Sequence, residues 1–469
     1  MSAVKPGTAA AFRVGDRLTG KDPWEVFGER IRRYEIHLSG GKIEITRGPI
    51  ALEGYGIRIF RPREGVVGVG FQASNDFTDA GIRATLEDAE RAARYASFPS
   101  PRVGLPTGRG ATGGIVEVLD RGLWEYPMDS LDRFVHALHG AFEGRKQESV
   151  SFGSVRATLS ETSICNSVGL RTGYGHTTVE LELGVKAFGG PEGPAPGEFW
   201  VDESDRRLRV AELGVRASEW CRYAEDVRRG RPPPTGELAV VMPSSVLSGI
   251  LPAVLGGRLT GAAETRHVAP PHGARLGSDL ATVYDDGRIP WAPMSSPVDD
   301  EGVPQRRRTL LDHGVVSEVL YDSLHAGTHD TRSTGSAFRG MLAGFRTWYR
   351  FLQAPAVGPS TLSLAPGDAG TDTELVEAAK DGLWVQQIGW SSPDPFTGAF
   401  GGEIRLAYRI RNGRLAESIR GGTVGGVALA AEGSPSLLTR LERVGSRPAL
   451  SESLEAPPVL VRPLSVAGE

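Results

Sequence analysis

A run of three consecutive prolines at residues 232–234 divides the chain near its midpoint. Proline has no backbone N–H and a fixed φ, so neither a helix nor a central strand continues through such a run. The surrounding stretch, residues 228–236, is charged and ends in glycine. Because a single hydrophobic core stops growing at about 250–300 residues, a chain of 469 residues is expected to form two domains. We predict them at 1–230 and 231–469, with the boundary in this stretch.

The first half combines β-type alternation with amphipathic helical segments. Residues 33–38 and 42–45 alternate apolar and polar side chains around Gly40 and Gly41, a pattern typical of a β-hairpin. Residues 79–95 carry apolar or small side chains at helical spacing and are predicted to form a helix. Further helices are predicted at 129–143 and 204–227, and further strands at 54–60, 65–71, 151–159 and 177–188.

The second half is predicted to begin with a buried strand at 238–242. A helix follows from Ser244 or Ser245 to about Arg258, and the remainder is expected to be mostly strands and loops. Asn412-Gly413 indicates a hairpin, because these two residues tolerate the positive φ angles of a type I′ turn. The two halves differ in pattern, so the sequence predicts two unlike α+β domains.

The charge, the apolar pattern and the cysteine count indicate which binding partners and which cellular compartment to expect. The formal net charge of −4 provides no broad cationic field for nucleic acid or anionic lipid. No apolar run is long enough to cross a bilayer, and the first 13 residues have no apolar core of a secretory signal. Two cysteines, Cys165 and Cys221, are too few for a disulfide framework. We therefore expect a cytoplasmic protein with reduced thiols.

Two acidic clusters are the first candidates for chemistry. One contains Asp285 and Asp286, and the other contains Asp299, Asp300 and Glu301. Clustered carboxylates can bind a hard cation or act as an acid/base pair. The calcium-loop spacing is absent, however, and Asp and Gly clusters usually form turns in which a carboxylate accepts backbone hydrogen bonds. We favour structural turns at Asp285, Asp286, Asp300, Glu301 and Gly302.

Two histidine pairs have spacings that could suit a metal. His267 and His272 have the spacing of an HExxxH motif, but the two prolines between them forbid the helix that would align both rings. His325 and His329 are four residues apart, but Gly327 and Thr328 weaken a helix there. Hydrogen-bonded or surface histidines are the favoured interpretation of both pairs.

Cys165 and the glycine-rich segments leave other possibilities open. Cys165 is a candidate nucleophile without an assignable histidine partner, and a buried small hydrophobe is the better interpretation. The glycines within residues 397–402 and 421–426 do not form a Walker loop. They could let backbones approach one another in a bent sheet, or leave room for an extended peptide.

Several ordered segments resemble the TldD/PmbA metallopeptidase signature. Residues 283–287 resemble its DDG motif, residues 298–314 its DDEG motif and the turn that follows, and residues 320–322 its Tyr-Leu-Tyr-Asp-like strand. Residues 333–339 resemble STGNAxR, with Ser336 where the family often has asparagine. The resemblance covers nearly the whole chain. It implies an α+β protein with an N-terminal α/β-type sheet with helices and a C-terminal curled mixed or antiparallel β-sheet around a helix.

The same resemblance implies a role in a heterodimer. In this family, TldD-like and TldE-like subunits enclose a chamber that degrades or trims peptides. The TldD-like subunit carries HExxxH on the helix after the first C-terminal strand, and a later cysteine completes its zinc site. Here the corresponding residues, 245–255, include neither histidine nor glutamate, and no cysteine follows Cys221. We therefore expect a TldE/PmbA-like chain that has no cofactor of its own and acts with a zinc-bearing TldD-like partner on peptides.

Strand addition by an extended peptide is the expected mode of substrate binding. Arg339 could pair with a peptide carboxylate, or it could tie down a neighbouring loop. Two other functions stay open: an independent hydrolase that uses Cys165 or a carboxylate pair, and a homodimeric peptide-binding scaffold. The residues expected to contact the peptide are Ser333, Thr334, Gly335, Arg339, Phe396, Thr397 and Gly398.

Overall fold

The computed structural model describes residues 9–108, 116–189, 195–342, 345–346 and 349–468. The helices are α1 Ala10–Gly15, α2 Asp79–Tyr95, α3 Arg121–Glu125, α4 Pro127–Phe142, α5 Leu213–Arg229, α6 Ser244–Leu247, α7 Leu251–Arg258, α8 Gly261–Thr265, α9 Ser323–Thr328 and α10 Asp372–Ala379, with 3-10 helices at Val210–Glu212 and Arg350–Leu352. None of these helices is long and apolar enough to span a membrane.

The strands fall into two main groups along the chain. The first group is β1 Trp24–Ser39, β2 Lys42–Arg63, β3 Val66–Ser74, β4 Ser97–Phe98, β5 Glu148–Asn166, β6 Arg171–Ala187 and β7 Gly197–Asp205. The second group is β8 Gly236–Met242, β9 Val283–Asp286, β10 Arg307–Asp312, β11 Val315–Val316, β12 Ala337–Phe338, β13 Met341–Leu342, β14 Phe345–Arg346, β15 Ala356–Val357, β16 Leu362–Leu364, β17 Gly382–Gly389, β18 Ala399–Arg411, β19 Arg414–Ile419, β20 Thr423–Val427, β21 Leu441–Val444, β22 Ala449–Ser451, β23 Leu454–Ala456 and β24 Val459–Ala467.

The first group forms one antiparallel sheet in the order β4-β3-β2-β1-β5-β6-β7. The predicted hairpin between β1 and β2 is confirmed, with positive φ at Gly40 and Gly41. The predicted helix α2 is also confirmed: Thr78 caps it by accepting the Gly81 N–H, and Ala89 and Ala93 are buried against the sheet. Contact is close because a Cβ on Gly70 would lie 1.8 Å from the Ala89 carbonyl oxygen.

The two faces of this sheet differ in chemistry because side chains alternate along each strand. One face packs Ile36, Leu159 and Leu183 against α4 and α5. The opposite face carries polar side chains in register, with Arg33 opposite Thr158 and Ser160 opposite His176. We call it the polar face. It is the face that meets the C-terminal half of the chain.

The C-terminal strands curl around two short helices. β17, β8, β24, β20 and β18 are neighbours in that order, and β18 also pairs with β17, so the ring closes. Inside it, Val246 and Leu247 of α6 and Val254 of α7 share one core with strand residues such as Val240 and Ile404. The expected curled sheet around a helix is confirmed. Six further strands form a second sheet in the order β11-β10-β9-β16-β23-β22.

Two predicted helices were wrong in extent. Residues 197–205 form β7, where Phe199 and Val201 are buried against α5 and the strand pairs with β6, so α5 begins only at Leu213. The predicted helix at 244–258 is broken into α6 and α7. Pro252 lacks the N–H that would continue the first helix and occupies the first turn of the second. The hairpin at Asn412-Gly413 is confirmed, with φ of 49° and 70°. The boundary at 228–236 stays a prediction.

Candidate functional site

The acidic motifs of the second half form hydrogen-bonded turns. Asp299 Oδ1 accepts the N–H groups of Glu301 (3.0 Å) and Val303 (2.8 Å), and its Oδ2 accepts the Ala337 N–H at 3.1 Å. Asp285 accepts both the N–H and the hydroxyl of Ser360 at 2.7 Å. Carboxylates held in this way stabilise the backbone. The contacts of Asp299 Oδ1 lie within its own turn, whereas Asp285 belongs to strand β9 and accepts from a residue 75 positions away.

The turn after Asp299 packs directly on the N-terminal half. Gly302 has φ of +90°, and a Cβ there would lie 2.3 Å from Cδ2 of Leu170. Leu170 belongs to the connection between β5 and β6, and its backbone N–H donates to Asn166. Glycine is therefore required at 302 by both conformation and space.

Seven charged residues meet where the polar face contacts these turns. Arg58 donates to Glu25 (2.8 Å) and Glu301 (2.5 Å), and Arg339 donates to Glu25 at 2.6 Å. The third arginine, Arg350, contacts Glu29 at 2.7 Å and Asp300 at 3.1 Å. We call this set the ionic cluster: Glu25, Glu29, Arg58, Asp300, Glu301, Arg339 and Arg350.

The ionic cluster is shut off from solvent. None of its side chains is more than 3% exposed. Burial raises the pKa of Glu29 and Glu301 and lowers that of Arg339. Burial also opposes charge on Arg58, yet the carboxylates of Glu25 and Glu301 raise the pKa of its guanidinium. Buried charges persist only when paired, so the ionic cluster joins the two halves of the chain as a set of mutually dependent ion pairs.

Residues 333–339, expected to contact substrate, lie inside this contact. Thr334 Oγ1 accepts the Tyr321 N–H at 2.7 Å, and the Gly335 carbonyl accepts from Gln305 at 2.7 Å. Ser333 Oγ donates to the Tyr321 carbonyl at 3.3 Å. Arg339 is fully buried, and its other terminal nitrogen donates to the Gln353 carbonyl. These contacts favour the loop-tying role of Arg339 and do not support a peptide site at Ser333, Thr334, Gly335 and Arg339.

Residues 396–398 lie in a different and more open place. Asp394 Oδ1 accepts the N–H groups of Phe396 and Thr397, both at 2.8 Å, and the Phe396 ring is 47% exposed. Gly398 has φ of +75°, and a Cβ there would lie 2.0 Å from the Leu429 carbonyl. The following strand pairs with β20 from Ala399 onward but with β17 only from Glu403. In the described chain, residues 399–402 therefore have no pairing with β17. Ala399 is already bonded on that side, because its carbonyl accepts the Asp394 N–H at 2.8 Å and its N–H donates to Thr397 Oγ1 at 3.3 Å, so the unpaired part of the edge begins after Ala399.

The helices that follow β8 occupy the place where the family resemblance puts a zinc motif. Apart from Ser244 and Pro252, their buried positions are aliphatic, and Ser245 and Gly249 are exposed. Imidazole and carboxylate ligands are what a catalytic zinc requires, so these residues do not fit one. Across the described ranges, no group of three or more His, Cys, Asp or Glu side chains is placed to hold a metal ion.

The histidines that sequence spacing singled out have other contacts. His325 Nδ1 lies 2.8 Å from Asp322, which also caps α9. His329 lies 3.5 Å from Glu264. His267 has φ of +59° and lines a surface cavity of about 390 Å³ together with Phe396. The interpretation as hydrogen-bonded or surface histidines agrees with these positions for His325 and His329.

Cys165 is not placed as a nucleophile. It is 1% exposed, and its thiol donates to the Ala11 carbonyl at 3.3 Å. Burial raises the pKa of this thiol to about 12. A thiol that stays protonated and inaccessible is unreactive, which argues against the hydrolase that would use Cys165. Cys221 is also buried, and burial raises its pKa to about 11.

Sequence reasoning missed a second polar site on the polar face. A cavity of about 140 Å³ is lined there by Thr158, Ser160 and His176 and by Glu452 from the C-terminal half. The available signal was alternation: Arg156, Thr158, Ser160 and Thr162 occupy every second position of β5, of which the sequence predicted only residues 151–159. Such a row is typical of a solvent-facing surface, and the half that covers it is far away in sequence.

Two family models match parts of the chain. The description "PmbA/TldA metallopeptidase C-terminal domain" matches residues 235–468, and "PmbA/TldA metallopeptidase domain 1" matches residues 24–93. The fold and motifs thus define a PmbA/TldD-type metallopeptidase architecture. The chain belongs to the PmbA/TldD family.

Named relatives include a metalloprotease of Methanocaldococcus jannaschii, 31% identical over 157 residues, which are 34% of this chain and 32% of the relative. A TldD homologue of Buchnera aphidicola is 26% identical over 201 residues, 39% of either chain. The match thus spans about a third of the length of the first relative and about two fifths of the length of the second. Among solved structures, TldE of Thermococcus kodakarensis is similar with a TM-score of 0.77 at 18% identity, covering 97% of this chain and 98% of TldE. At that identity the likeness shows the fold.

Proposed function

We propose that this chain is the zinc-free subunit of a two-subunit peptidase, in which it closes a chamber and orients a peptide for a zinc-bearing TldD-like partner. The observation that carries this proposal is the composition of α6 and α7. Where the resemblance places HExxxH, this chain has serine, glycine and aliphatic side chains, and the aliphatic ones fill the core of the ring. Converting such a helix into a zinc site would place polar ligands among core side chains.

The open strand edge near Phe396 supports a role in holding an extended peptide. An unpaired edge offers backbone N–H and C=O groups to an added strand. Gly401 and Gly402 border this edge, and the space beside Gly401 is open, because a Cβ there would have its nearest neighbour, the Val424 carbonyl oxygen, 4.0 Å away. Phe396 adds an exposed aromatic ring beside the edge. We assign peptide contacts to Phe396, Thr397 and Gly398 on this basis.

Reconstitution with a TldD-like protein tests the subunit assignment. We expect peptide cleavage only when both chains are present, and loss of cleavage when the HExxxH glutamate of the partner is replaced by glutamine. This chain alone should contain no stoichiometric zinc by elemental analysis. About one tightly bound zinc per isolated chain, or cleavage by the isolated chain, would contradict the proposal.

Substitution of Phe396 tests the peptide contact. Because the ring is exposed, Phe396→Ala should leave the complex assembled and raise KM several-fold with little change in kcat, the effect of lost uniform binding. Leu415→Ala is a matched control: Leu415 is 51% exposed on β19 and should change neither constant. An unchanged KM in the Phe396 variant would remove this residue from the site.

A further inference from the structure

The cavity on the polar face is built from both halves of the chain. β5 and β6 supply Thr158, Ser160 and His176 on one side. On the other side, the turn between β22 and β23 brings in Glu452, whose φ is +51°. Glu29 and Arg350 of the ionic cluster also line the cavity, but Thr158 and Glu452 lie outside that cluster. We call this space the acidic cavity.

Carboxylates dominate the lining of the acidic cavity. Besides the cluster member Glu29, it contains five acidic side chains, of which three have basic partners. Glu180 is 3.6 Å from Arg33, Glu182 is 3.3 Å from Arg156, and Glu203 contacts Arg209 and Arg216. The two others are Asp202 and Glu452, and neither has a basic side chain within ion-pair distance in the described part of the chain.

The basic side chains of the lining are already occupied. Arg206 is buried and donates to the carbonyls of Thr177 and Ser295, both at 3.0 Å. Arg350 is held by Glu29 and Asp300. Burial and the carboxylates of Asp202, Glu203 and Glu180 raise the pKa of Glu452, and the backbone of Ser204 lowers it. Neither Asp202 nor Glu452 thus has an ion-pair partner among the described residues, although the charge of Arg156 partly offsets the rise that burial causes in the pKa of Asp202.

A second observation, independent of the carboxylates, comes from Thr158. This residue is 6% exposed, yet its hydroxyl has no hydrogen-bond partner among the described residues. Its side chain lies on the polar face, in register with Arg33 and with Thr178, another residue of the lining. Leaving a buried hydroxyl without a partner is energetically unfavourable. A ligand in the acidic cavity that donates a hydrogen bond to this oxygen would satisfy it.

We propose that the acidic cavity binds an organic cation, an alkylammonium or guanidinium group that donates hydrogen bonds to Thr158 and pairs with Glu452 and Asp202. A volume of about 140 Å³ holds on the order of ten water molecules, enough for a small amine. The carboxylates are not grouped as metal ligands anywhere in the described ranges. An ammonium or guanidinium group, with three or five N–H donors, spans such dispersed acceptors.

The raised pKa of Glu452 is consistent with a binding site for a cation. Burial, and next the charge of Asp202, raise the pKa of Glu452 to about 8. At neutral pH this carboxyl therefore holds a proton when no cation is present. A bound cation favours the carboxylate, so binding should release a proton.

Isothermal titration of the full chain with agmatine, at about pH 7.5 in two buffers of different ionisation enthalpy, tests the proposal. We expect saturable binding with proton release, weakened about tenfold by Glu452→Gln and about threefold by the more exposed Asp202→Asn. Asp132→Asn, on the exposed surface of α4, removes the same charge elsewhere and should change nothing. Absence of binding up to about 10 mM, or equal affinity in all variants, would overturn the proposal.

Thr158→Val separates ligand binding from a structural role. Valine has nearly the shape of threonine and removes the unpartnered hydroxyl, so the thermal midpoint should be unchanged or higher. Agmatine affinity should nevertheless fall several-fold. A variant that binds agmatine as tightly as the parent chain would overturn the placement of the ligand in this cavity.

Titration with peptides in the same experiment distinguishes the two possible sources of the cationic group, a free amine and a basic residue of a peptide. A short peptide with one arginine is compared with the same peptide carrying citrulline. Tighter binding of the arginine peptide than of agmatine assigns a basic peptide residue, and binding of agmatine alone assigns a free amine. Binding of neither overturns the proposal. No partner subunit is needed, so this outcome is independent of the subunit assignment.

Discussion

The Nη2 atom of Arg339 lies 2.6 Å from Oε1 of Glu25, a residue 314 positions earlier in the chain. Glu25 is on the first strand of the N-terminal sheet, and Arg339 closes the motif that resembles STGNAxR. A motif recognised as part of a peptidase signature thus serves, in this chain, to join the two halves. Its buried ion pairs require both halves to be folded at once.

Replacement of Arg339 should therefore affect stability first. In Arg339→Met, Arg58 is the only ion-pair partner of Glu25 that remains among the described residues, and the Gln353 carbonyl loses a donor. We therefore expect the free energy of unfolding to fall by about 3 kcal/mol. Chemical denaturation followed by tryptophan fluorescence measures this. Arg91→Met, at a side chain 66% exposed, is the control and should change it by less than about 0.5 kcal/mol. A fully stable Arg339→Met chain whose complex binds peptide weakly would restore the substrate-binding role.

The two aspartates Asp300 and Asp286 should respond very differently to the same change. Asp300 is fully buried, accepts the Arg339 N–H at 2.7 Å and pairs with Arg350. Asp286 is partly exposed and accepts one N–H, that of Arg288, at 3.0 Å. We expect Asp300→Ala to cost about 3–5 kcal/mol and Asp286→Ala about 1 kcal/mol, measured by urea denaturation. Equal losses would show that Asp300 carries no more than a turn hydrogen bond.

Local patterns in the sequence were sufficient to predict turns and hairpins but not the contacts between residues that are far apart in the chain. The positive φ at Gly40 and at Asn412 and the cap of α2 depend on residues a few positions apart. The ionic cluster depends on pairs such as Arg58 with Glu301, which are 243 residues apart. Nothing local distinguishes a glutamate at position 25, on an alternating strand, from one that faces water.

The misplaced start of α5 has a similar cause. The helix was predicted from Ser204, but residues 204–205 end strand β7, which is selected by pairing with β6 and by burial of Phe199 and Val201. Tertiary pairing overrides a weak local preference. The family resemblance supplied what periodicity could not, namely the order of the motifs and the curled C-terminal sheet.

The thiols of Cys165 and Cys221 should be unreactive in the folded chain. Burial raises the pKa of Cys165 to about 12 and that of Cys221 to about 11, so thiolate is scarce at neutral pH. A colorimetric thiol reagent at about pH 8 should label neither cysteine in minutes and both after denaturation. Cys165→Ala should leave peptide cleavage by the reconstituted complex unchanged. Fast native labelling of Cys165 together with loss of cleavage in this variant would reinstate it as a nucleophile.

Because of Glu452, the free energy of unfolding should fall as the pH rises toward the alkaline range. Its pKa is near 4.5 in an unfolded chain and about 8 in the fold, where burial and the neighbouring carboxylates of Asp202, Glu203 and Glu180 disfavour its charge. Between these values the folded state binds the additional proton. The free energy of unfolding contributed by Glu452 therefore falls as pH rises through this window and is level above about pH 8. Burial also raises the pKa of Asp202 and Glu203, which contribute in the same direction.

Glu452→Gln should remove its share of this slope. Glutamine keeps the shape of the side chain and carries no charge, so the variant should equal the parent chain at about pH 5 and exceed its free energy of unfolding by about 1 kcal/mol at about pH 8.5. Urea denaturation at a series of pH values measures both curves. Glu87→Gln, at an exposed position of α2, should follow the parent chain throughout. A Glu452→Gln curve parallel to that of the parent chain would mean that this carboxyl titrates normally in the fold.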